Sequence, residues 1–208
     1  MIGIVLHIYY NDLWGYFEEK LKSLNTQFDL YITLCDEVED ISDEILNSFP
    51  NANIKKYKNK GQDIAPFLFT IKDIRHKDYD YLIKLHTKKS ENFECKYQPE
   101  KGALWRDELV NSLISSDETI IKNISMLEQS KYKMCGSKRW LLDYNSFIGG
   151  TMFMVDFKIL SSCLTDELID EWYAKMSYGY AQDGSFTHQV ERLLGKMILD
   201  KGYKIKGV

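Results

Sequence analysis

Ile2-Gly-Ile-Val-Leu-His-Ile-Tyr-Tyr10 opens the chain with an almost wholly apolar, β-branched run. Such a run suits a strand covered on both faces, and all-parallel sheets are built from strands of that kind. The next fifty residues decide how the sheet is made. Leu13, Phe17, Leu21 and Leu24 recur at helical spacing, with Asn11 placed to cap their helix. Residues 28–34 read as a second strand, an acidic stretch leads into a short helix near 42–49, and 53–57 reads as a third strand. Strands alternating with helices predict an α/β fold with a mainly parallel central sheet and crossover helices.

The pattern continues downstream. Gly61 breaks the chain, Asp63 is placed to cap the next helix, and Pro66 falls in its first turn, where a missing N–H does no harm. That helix runs through Phe67, Ile71 and Ile74, and residues 80–85 form the next strand, ending in His86-Thr-Lys-Lys-Ser90. The polar stretch 91–102, punctuated by Pro99 and Gly102, reads as a mobile loop. Helices are expected at 104–113, 117–129, 156–163, 166–176 and 184–201, and strands at 132–136 and 147–155, with Gly149-Gly150 marking a bend. With no internal repeat or linker in sight, residues 1–208 read as a single domain.

Composition narrows the class. At 44% hydrophobic and 13% aromatic residues the chain can bury a substantial core, which excludes disorder. Cys35, Cys95, Cys135 and Cys163 are scattered without a C-x-x-C pair, so they read as reduced thiols and give no cysteine zinc site. Basic and acidic residues number 27 and 31, a balance that argues against a nucleic-acid partner. The apolar runs at 2–10 and 147–155 fall short of the ~18–20 residues of a membrane-spanning helix. No signal-peptide pattern precedes the first strand, so a cytoplasmic location is expected. Lys55, Lys56, Lys58 and Lys60 form a basic patch that reads as solvated surface.

Ligands of open α/β sheets bind beyond the carboxyl ends of the strands. The polar residues there are His7 and Tyr9, residues 33–36, residues 61–63, and Lys84-Leu-His86-Thr-Lys-Lys89. Aromatic faces, a helix N-terminus and several cations together suit an anionic, ring-bearing ligand such as a nucleoside diphosphate. Tyr10 reads as core. Lys84 stands inside an apolar strand, and a buried ammonium needs a partner: either a phosphate or an internal carboxylate, Asp63 or Asp80. The chain has no G-x-x-x-x-G-K-[ST], no G-x-G-x-x-G after the first strand and no G-x-S-x-G, which excludes P-loop, Rossmann oxidoreductase and α/β-hydrolase readings.

Several runs together resemble one family: Asn59-Lys-Gly-Gln-Asp-Ile-Ala-Pro-Phe67, Lys84-Leu-His-Thr-Lys-Lys-Ser90, Trp105-Arg106, Phe147-Ile-Gly-Gly-Thr-Met-Phe153 and Asp183-Gly-Ser-Phe-Thr-His-Gln-Val-Glu-Arg192. With His7-Ile-Tyr-Tyr10 they are similar, in order and over nearly the whole chain, to the rhamnan synthesis F family. Gln62 departs from the pattern, standing where many relatives carry a basic residue. The resemblance implies a GT-A-like, Rossmann-like three-layer fold and a sugar transferase of bacterial surface polysaccharide assembly. Its donor would be a nucleotide sugar, such as a dTDP-linked rhamnose, and its acceptor a glycan or lipid-linked glycan, reached without a transmembrane segment at the inner face of the membrane.

GT-A transferases usually hold the donor diphosphate through a metal on an Asp-x-Asp motif, and His86-Thr-Lys-Lys89 takes that place here. Ammonium groups neutralise phosphates directly, so the expectation is metal-independent binding with no cofactor. The donor-binding set is His7, Tyr9, Asp63, Lys84, His86, Thr87, Lys88, Lys89 and Arg106, although Arg106 also fits a surface salt bridge. Asp183, just before a late helix, is the expected catalytic base for an inverting displacement, or else a helix cap. Gly150, Thr151, His188, Glu191 and Arg192 are the expected sugar and acceptor contacts. A Glu191–arginine pair, a tight turn at 149–151, and core roles for Met152, Phe153 and Met154 stand beside them. Two other functions fit the sequence: a non-catalytic nucleotide-sugar or glycan-binding module, and a metal-dependent hydrolase using His86, His188 and Glu191.

Overall fold

The computed structural model describes residues 1–89, 102–129, 131–180 and 184–208. β1 (Ile2–Ile8) is buried along its whole length. It pairs in parallel with β2 (Asp29–Cys35) on one side and β4 (Tyr81–His86) on the other, and β3 (Asn53–Tyr57) runs parallel to β2 at the edge. Beyond β4 lies β8 (Phe153–Asp156), antiparallel both to β4 and to β5 (Tyr132–Gly136), and β9 (Lys204–Gly207) closes the sheet parallel to β5. The order is β3-β2-β1-β4-β8-β5-β9. A two-stranded hairpin, β6 (Leu141–Leu142) with β7 (Phe147–Ile148), stands apart from it.

Helices cover both faces. α1 (Trp14–Lys22), α2 (Ser42–Ser48), α4 (Gly102–Ile114) and α5 (Asp117–Gln129) gather on one side, where Lys20 of α1 bonds Asn111 of α4 at 2.7 Å and Ser48 of α2 bonds Glu18 of α1. α3 (Ile64–Ile74), α6 (Phe157–Cys163), α7 (Asp166–Lys175) and α8 (Phe186–Asp200) gather on the other. This is the three-layer α/β fold with a mainly parallel sheet that the sequence predicts. Met152, Phe153 and Met154 belong to its core, and Cys35, Cys135 and Cys163 are free thiols. Cys95 and the loop expected at 91–102, Gly102 excepted, lie outside the described residues. No described helix is long and apolar enough to cross a membrane.

Several local expectations fail, each for a physical reason. Asn11 caps nothing: it begins a 3-10 turn (Asn11–Leu13), and its side-chain amide donates to the Glu39 carbonyl at 2.6 Å. The strand expected over 147–155 is two strands, because Gly150 (φ 85°) and Thr151 (φ 48°) are left-handed and cannot continue an extended backbone. Apolar content is alike on both sides of that bend, so periodicity does not reveal it. β6 and β9 are too short or too lysine-rich to register as strands. Tyr10 is half-buried rather than core, edge-on to Tyr9 with centroids 5.0 Å apart.

α8 packs hard against β7. A Cβ at Gly195 would stand 2.1 Å from the Ser146 carbonyl oxygen and 2.9 Å from the Phe147 Cα. Alanine gains about 1 kcal/mol over glycine in a helix interior. Forcing a methyl into packed backbone costs about 1–3 kcal/mol or more, and backbone atoms cannot swing aside as a side chain can. Gly195→Ala is therefore expected to destabilise the fold, lowering the urea midpoint; an unchanged or raised midpoint would contradict the packing.

Candidate functional site

The register brings the expected residues to one end of the sheet. His7 of β1 stands opposite both Thr33 of β2 and His86 of β4. Paired residues share a face, and alternation puts Lys84 on that face too, under the start of α3. Because β8 runs antiparallel, its beginning lies beside the end of β4, with Phe153 opposite Lys84. The bend at 150–151 thus hangs over the same spot.

Lys84 is 1% exposed, and its ammonium bonds the Asp63 carboxylate and, at 3.0 Å, the Thr151 carbonyl. The Thr151 hydroxyl donates to the same Asp63 oxygen at 2.9 Å. Asp63 occupies the N-cap position of α3 without capping it. The Gly61 carbonyl accepts from the Ile64 and Ala65 amides at 3.0 and 3.3 Å, and Pro66 has no N–H, so the carboxylate is released to face inward. Left-handed Gly61 (φ 74°) and Gln62 (φ 52°) make that turn, and a Cβ on Gly61 would lie 2.4 Å from Met176 Sδ. The sequence leaves Lys84 two carboxylate partners. The interior pair with Asp63 is the one formed.

Both imidazoles are neutral. Burial pushes His7 down to about 4, with the nearby Asp63 charge only partly offsetting it, while its Nδ1 meets the Thr33 hydroxyl at 2.9 Å. Burial likewise pushes His86 down to about 3. His86 Nδ1 stands 3.4 Å from Asp63 Oδ2, outside hydrogen-bond geometry. Burial works against the Asp63 charge as well, but the surrounding positive groups outweigh it and hold the carboxyl well below its usual range. With the imidazoles neutral at pH 7, Lys84 is the cation that does so.

Lys88 is the group left over. Its ammonium sits 3.7 Å from the Trp105 ring centroid and has no hydrogen-bond or ion-pair partner among the described residues. Burial lowers its pKa, and the charges of Asp63 and Glu191 pull the other way. Trp105 in turn stacks on Trp140 with centroids 4.4 Å apart. Across from Lys88, Glu191 of α8 accepts the Gly150 N–H at 2.8 Å, and burial raises its carboxyl to about 6. Trp105 is the residue that sequence reasoning passes over in favour of its neighbour. Its spacing of four from buried Leu109 is the available signal.

The remaining expected residues divide. Thr87 ties two strand ends together: its N–H donates to the His7 carbonyl at 2.9 Å, and its hydroxyl accepts from Tyr9 and Tyr10 N–H at 2.9 and 3.0 Å. These bonds use its acceptor capacity and leave its O–H free to donate. Lys89 pairs with Asp12 at the surface, 5.4 Å from the Tyr10 ring centroid. Arg106 bonds Asp107 at 3.2 Å and lies 4.4 Å from the Tyr16 ring centroid on α1. His188 Nδ1 meets Ser185 Oγ at 2.9 Å in the first turn of α8, whose N-cap is Ser185. Arg192 is exposed, donating to the His188 carbonyl at 3.1 Å; Glu191 bonds Gly150 instead of forming the expected arginine pair. Asp183 lies outside the described residues. Among the described residues no group of three His, Cys, Asp or Glu could hold a metal ion, so His86, His188 and Glu191 are not gathered as a metal-dependent hydrolase would need. The cationic end of β4 does not fit the Asp-x-Asp metal of GT-A transferases either.

The chain is similar to several known proteins. The profile of the family described as rhamnan synthesis protein F matches residues 1–135. The uncharacterized protein WxcX of Xanthomonas campestris pv. campestris (strain B100) is 21% identical over 230 residues, covering 99% of this chain and 32% of that protein. The chain thus spans about a third of the length of the curated relatives it matches. Among solved structures, the apo-form glycosyltransferase GlyE of Streptococcus pneumoniae TIGR4 aligns with a TM-score of 0.49 at 11% identity, covering 99% of this chain and 45% of that one. A CMP:2-keto-3-deoxy-manno-octonic acid synthetase complexed with CTP aligns with a TM-score of 0.44 at 6% identity, covering 100% and 88%.

Two stability measurements test the site. Lys84→Met strands a buried carboxylate and is expected to cost about 3–5 kcal/mol, whereas the double change with Asp63→Leu recovers most of that loss. Equal losses in the single and double variants would contradict the pairing. The imidazoles give a pH signature. They titrate near 6.5 when unfolded but only near 4 and 3 when folded, so the unfolded state takes up protons first on acidification. Stability should therefore fall progressively below about pH 6.5, with the Asp63 contribution lost at still lower pH, and His7→Gln should flatten part of that slope. A stability curve flat from pH 7 to 5 would refute the assignment.

Proposed function

The chain belongs to the rhamnan synthesis protein F family, and from that membership we propose that it transfers a deoxyhexose, with rhamnose first in line, from a nucleoside-diphosphate sugar to a surface glycan or lipid-linked glycan. The observation that carries this reading is the unspent Lys88 ammonium at the end of β4, held against Trp105 beside a neutral imidazole. An ammonium held over an aromatic ring, with no carboxylate bonded to it among the described residues, is available to an anion. The diphosphate of a nucleotide sugar supplies one, and its charge grows as the glycosidic oxygen departs. A fixed ammonium stabilises that charge without reorganising.

The donor site on this reading is smaller than the sequence implies. Lys88 contacts the phosphates, His86 lies behind it, and Lys84 with Asp63 acts from beneath by fixing the strand end and the bend at 150–151. Gly150 and Thr151 shape the sugar side, where backbone approaches Trp105 closely: a Cβ on Gly150 would lie 3.3 Å from its ring. No metal takes part, because the donor set at the end of β4 is cationic. The acceptor oxygen attacks the anomeric carbon in line with the departing diphosphate, with inversion. Acceptor delivery at the inner face of the membrane belongs to the same proposal.

A thermal-shift series with dTDP-rhamnose, UDP-glucose, UDP-galactose and GDP-mannose, each with and without EDTA, tests it. At least one donor should raise the midpoint, and EDTA should leave that rise intact. Lys88→Gln removes a charge-assisted contact of about 1.5–3 kcal/mol, so donor affinity should fall roughly 10–100-fold. Stabilisation that needs a divalent ion, or a Lys88→Gln variant that binds as well as the parent, would overturn the reading.

A further inference from the structure

We propose that Glu191 is the proton acceptor of the transfer, taking the proton of the incoming acceptor hydroxyl; this rests on the transferase reading and assigns a catalytic role within its site. Three observations carry it. Glu191 projects from α8 and accepts the N–H of Gly150, which packs against the Trp105 ring that Lys88 lies over, so carboxylate and ammonium are brought to one ring from separate elements. One carboxylate oxygen is spent on the Gly150 N–H at 2.8 Å, which fixes the group, and the other has no hydrogen-bond partner among the described residues. Finally, Gly150 lies at the left-handed bend that holds Lys84 through Thr151, so the carboxylate is registered to the end of β4 by a short chain of bonds.

The electrostatic setting matches the task. Lys88 and Lys84 face Glu191 from β4 and the segment after it, Asp63 faces it from the start of α3, and His188 and Arg192 are its neighbours on α8. Burial and the Asp63 charge raise its carboxyl to about 6 while the lysines hold it from rising further. A base with a pKa near the working pH accepts a proton most effectively. His86, held at about 3, is too weak a base for the same role.

The step balances. The acceptor oxygen forms its bond to the anomeric carbon, the bond from that carbon to the β-phosphate oxygen breaks, and its electron pair leaves with the nucleoside diphosphate. The hydroxyl proton passes to the free oxygen of Glu191 and from there to water.

The test uses the donor that gives the largest thermal shift and measures nucleoside diphosphate release from pH 5 to 9. Glu191 must be ionised to act, so the parent rate should fall on the acid side with a limb at or above about 6, since a bound diphosphate adds negative charge. Gln still accepts the Gly150 N–H, so Glu191→Gln should fold and bind donor normally while turnover drops at least about 100-fold and the acid limb vanishes. Glu191→Asp should recover part of the rate and keep the limb. A Glu191→Gln variant that turns over normally, or one that is slow but keeps the acid limb, overturns the assignment. Loss of both rate and limb in Asp183→Asn, with both retained in Glu191→Gln, would move the role to Asp183. Absence of donor turnover by the parent chain would instead overturn the transferase reading on which the assignment stands.

Discussion

A single ammonium inside the sheet constrains everything around it. Lys84 sits where the strand is covered on both sides, and an uncompensated charge there would cost more than any nearby contact returns. The match is a carboxylate on the α3 turn and a carbonyl on the bend before β8. Each partner needs unusual backbone: left-handed residues at 61–62 for the first and at 150–151 for the second. The glycines at 61 and 150 are therefore consequences of the charge, as is the placement of Trp105 and Glu191 against the second bend.

The pair also decides the sign of the site. With Lys84 answered by Asp63, and both imidazoles kept neutral by burial, the interior contributes almost no net field. The lysines farther out differ from one another. Lys89 is engaged by Asp12 at the surface, where a pair is worth about 0–1 kcal/mol, and an incoming anion can displace it at little cost. Lys88 is less hydrated and has no competing partner among the described residues, so a given phosphate contact there is stronger.

How far the sequence reveals this depends on range. β1, β2, β3 and β4 are legible because runs of apolar residues and helical spacing are local properties, and the strand-end rule comes from the topology they imply. Lys84 is legible as an anomaly, a charge amid Leu82, Ile83 and Leu85. Its partner is not, since Asp63 and Asp80 both suit the sequence; only the fold shows that Asp80 stays at the surface near Lys158 while Asp63 turns inward. Arg106 stands out as a cation, yet charge alone does not say which way a helical side chain points, and Tyr16 holds it against α1. Thr87 reads as a ligand contact, and its further use as a clamp between strand ends is invisible in sequence, because a hydroxyl oxygen accepts backbone amides that only the fold brings near.

Cations at the end of β4 and a carboxylate on α8 divide the labour differently from a metal site. A chelated ion collects carboxylates at the diphosphate, leaving the local field near neutral before the donor arrives. Here the carboxylates are engaged elsewhere: Asp63 is paired with Lys84, and Glu191 on α8 is bound to the Gly150 backbone. Positive charge after β4 and negative charge on α8 are thus held apart, on either side of the contact between Trp105 and Gly150. On the proposed reading, with a donor diphosphate against Lys88, the same separation of charge that favours the leaving group keeps the Glu191 carboxylate from binding it.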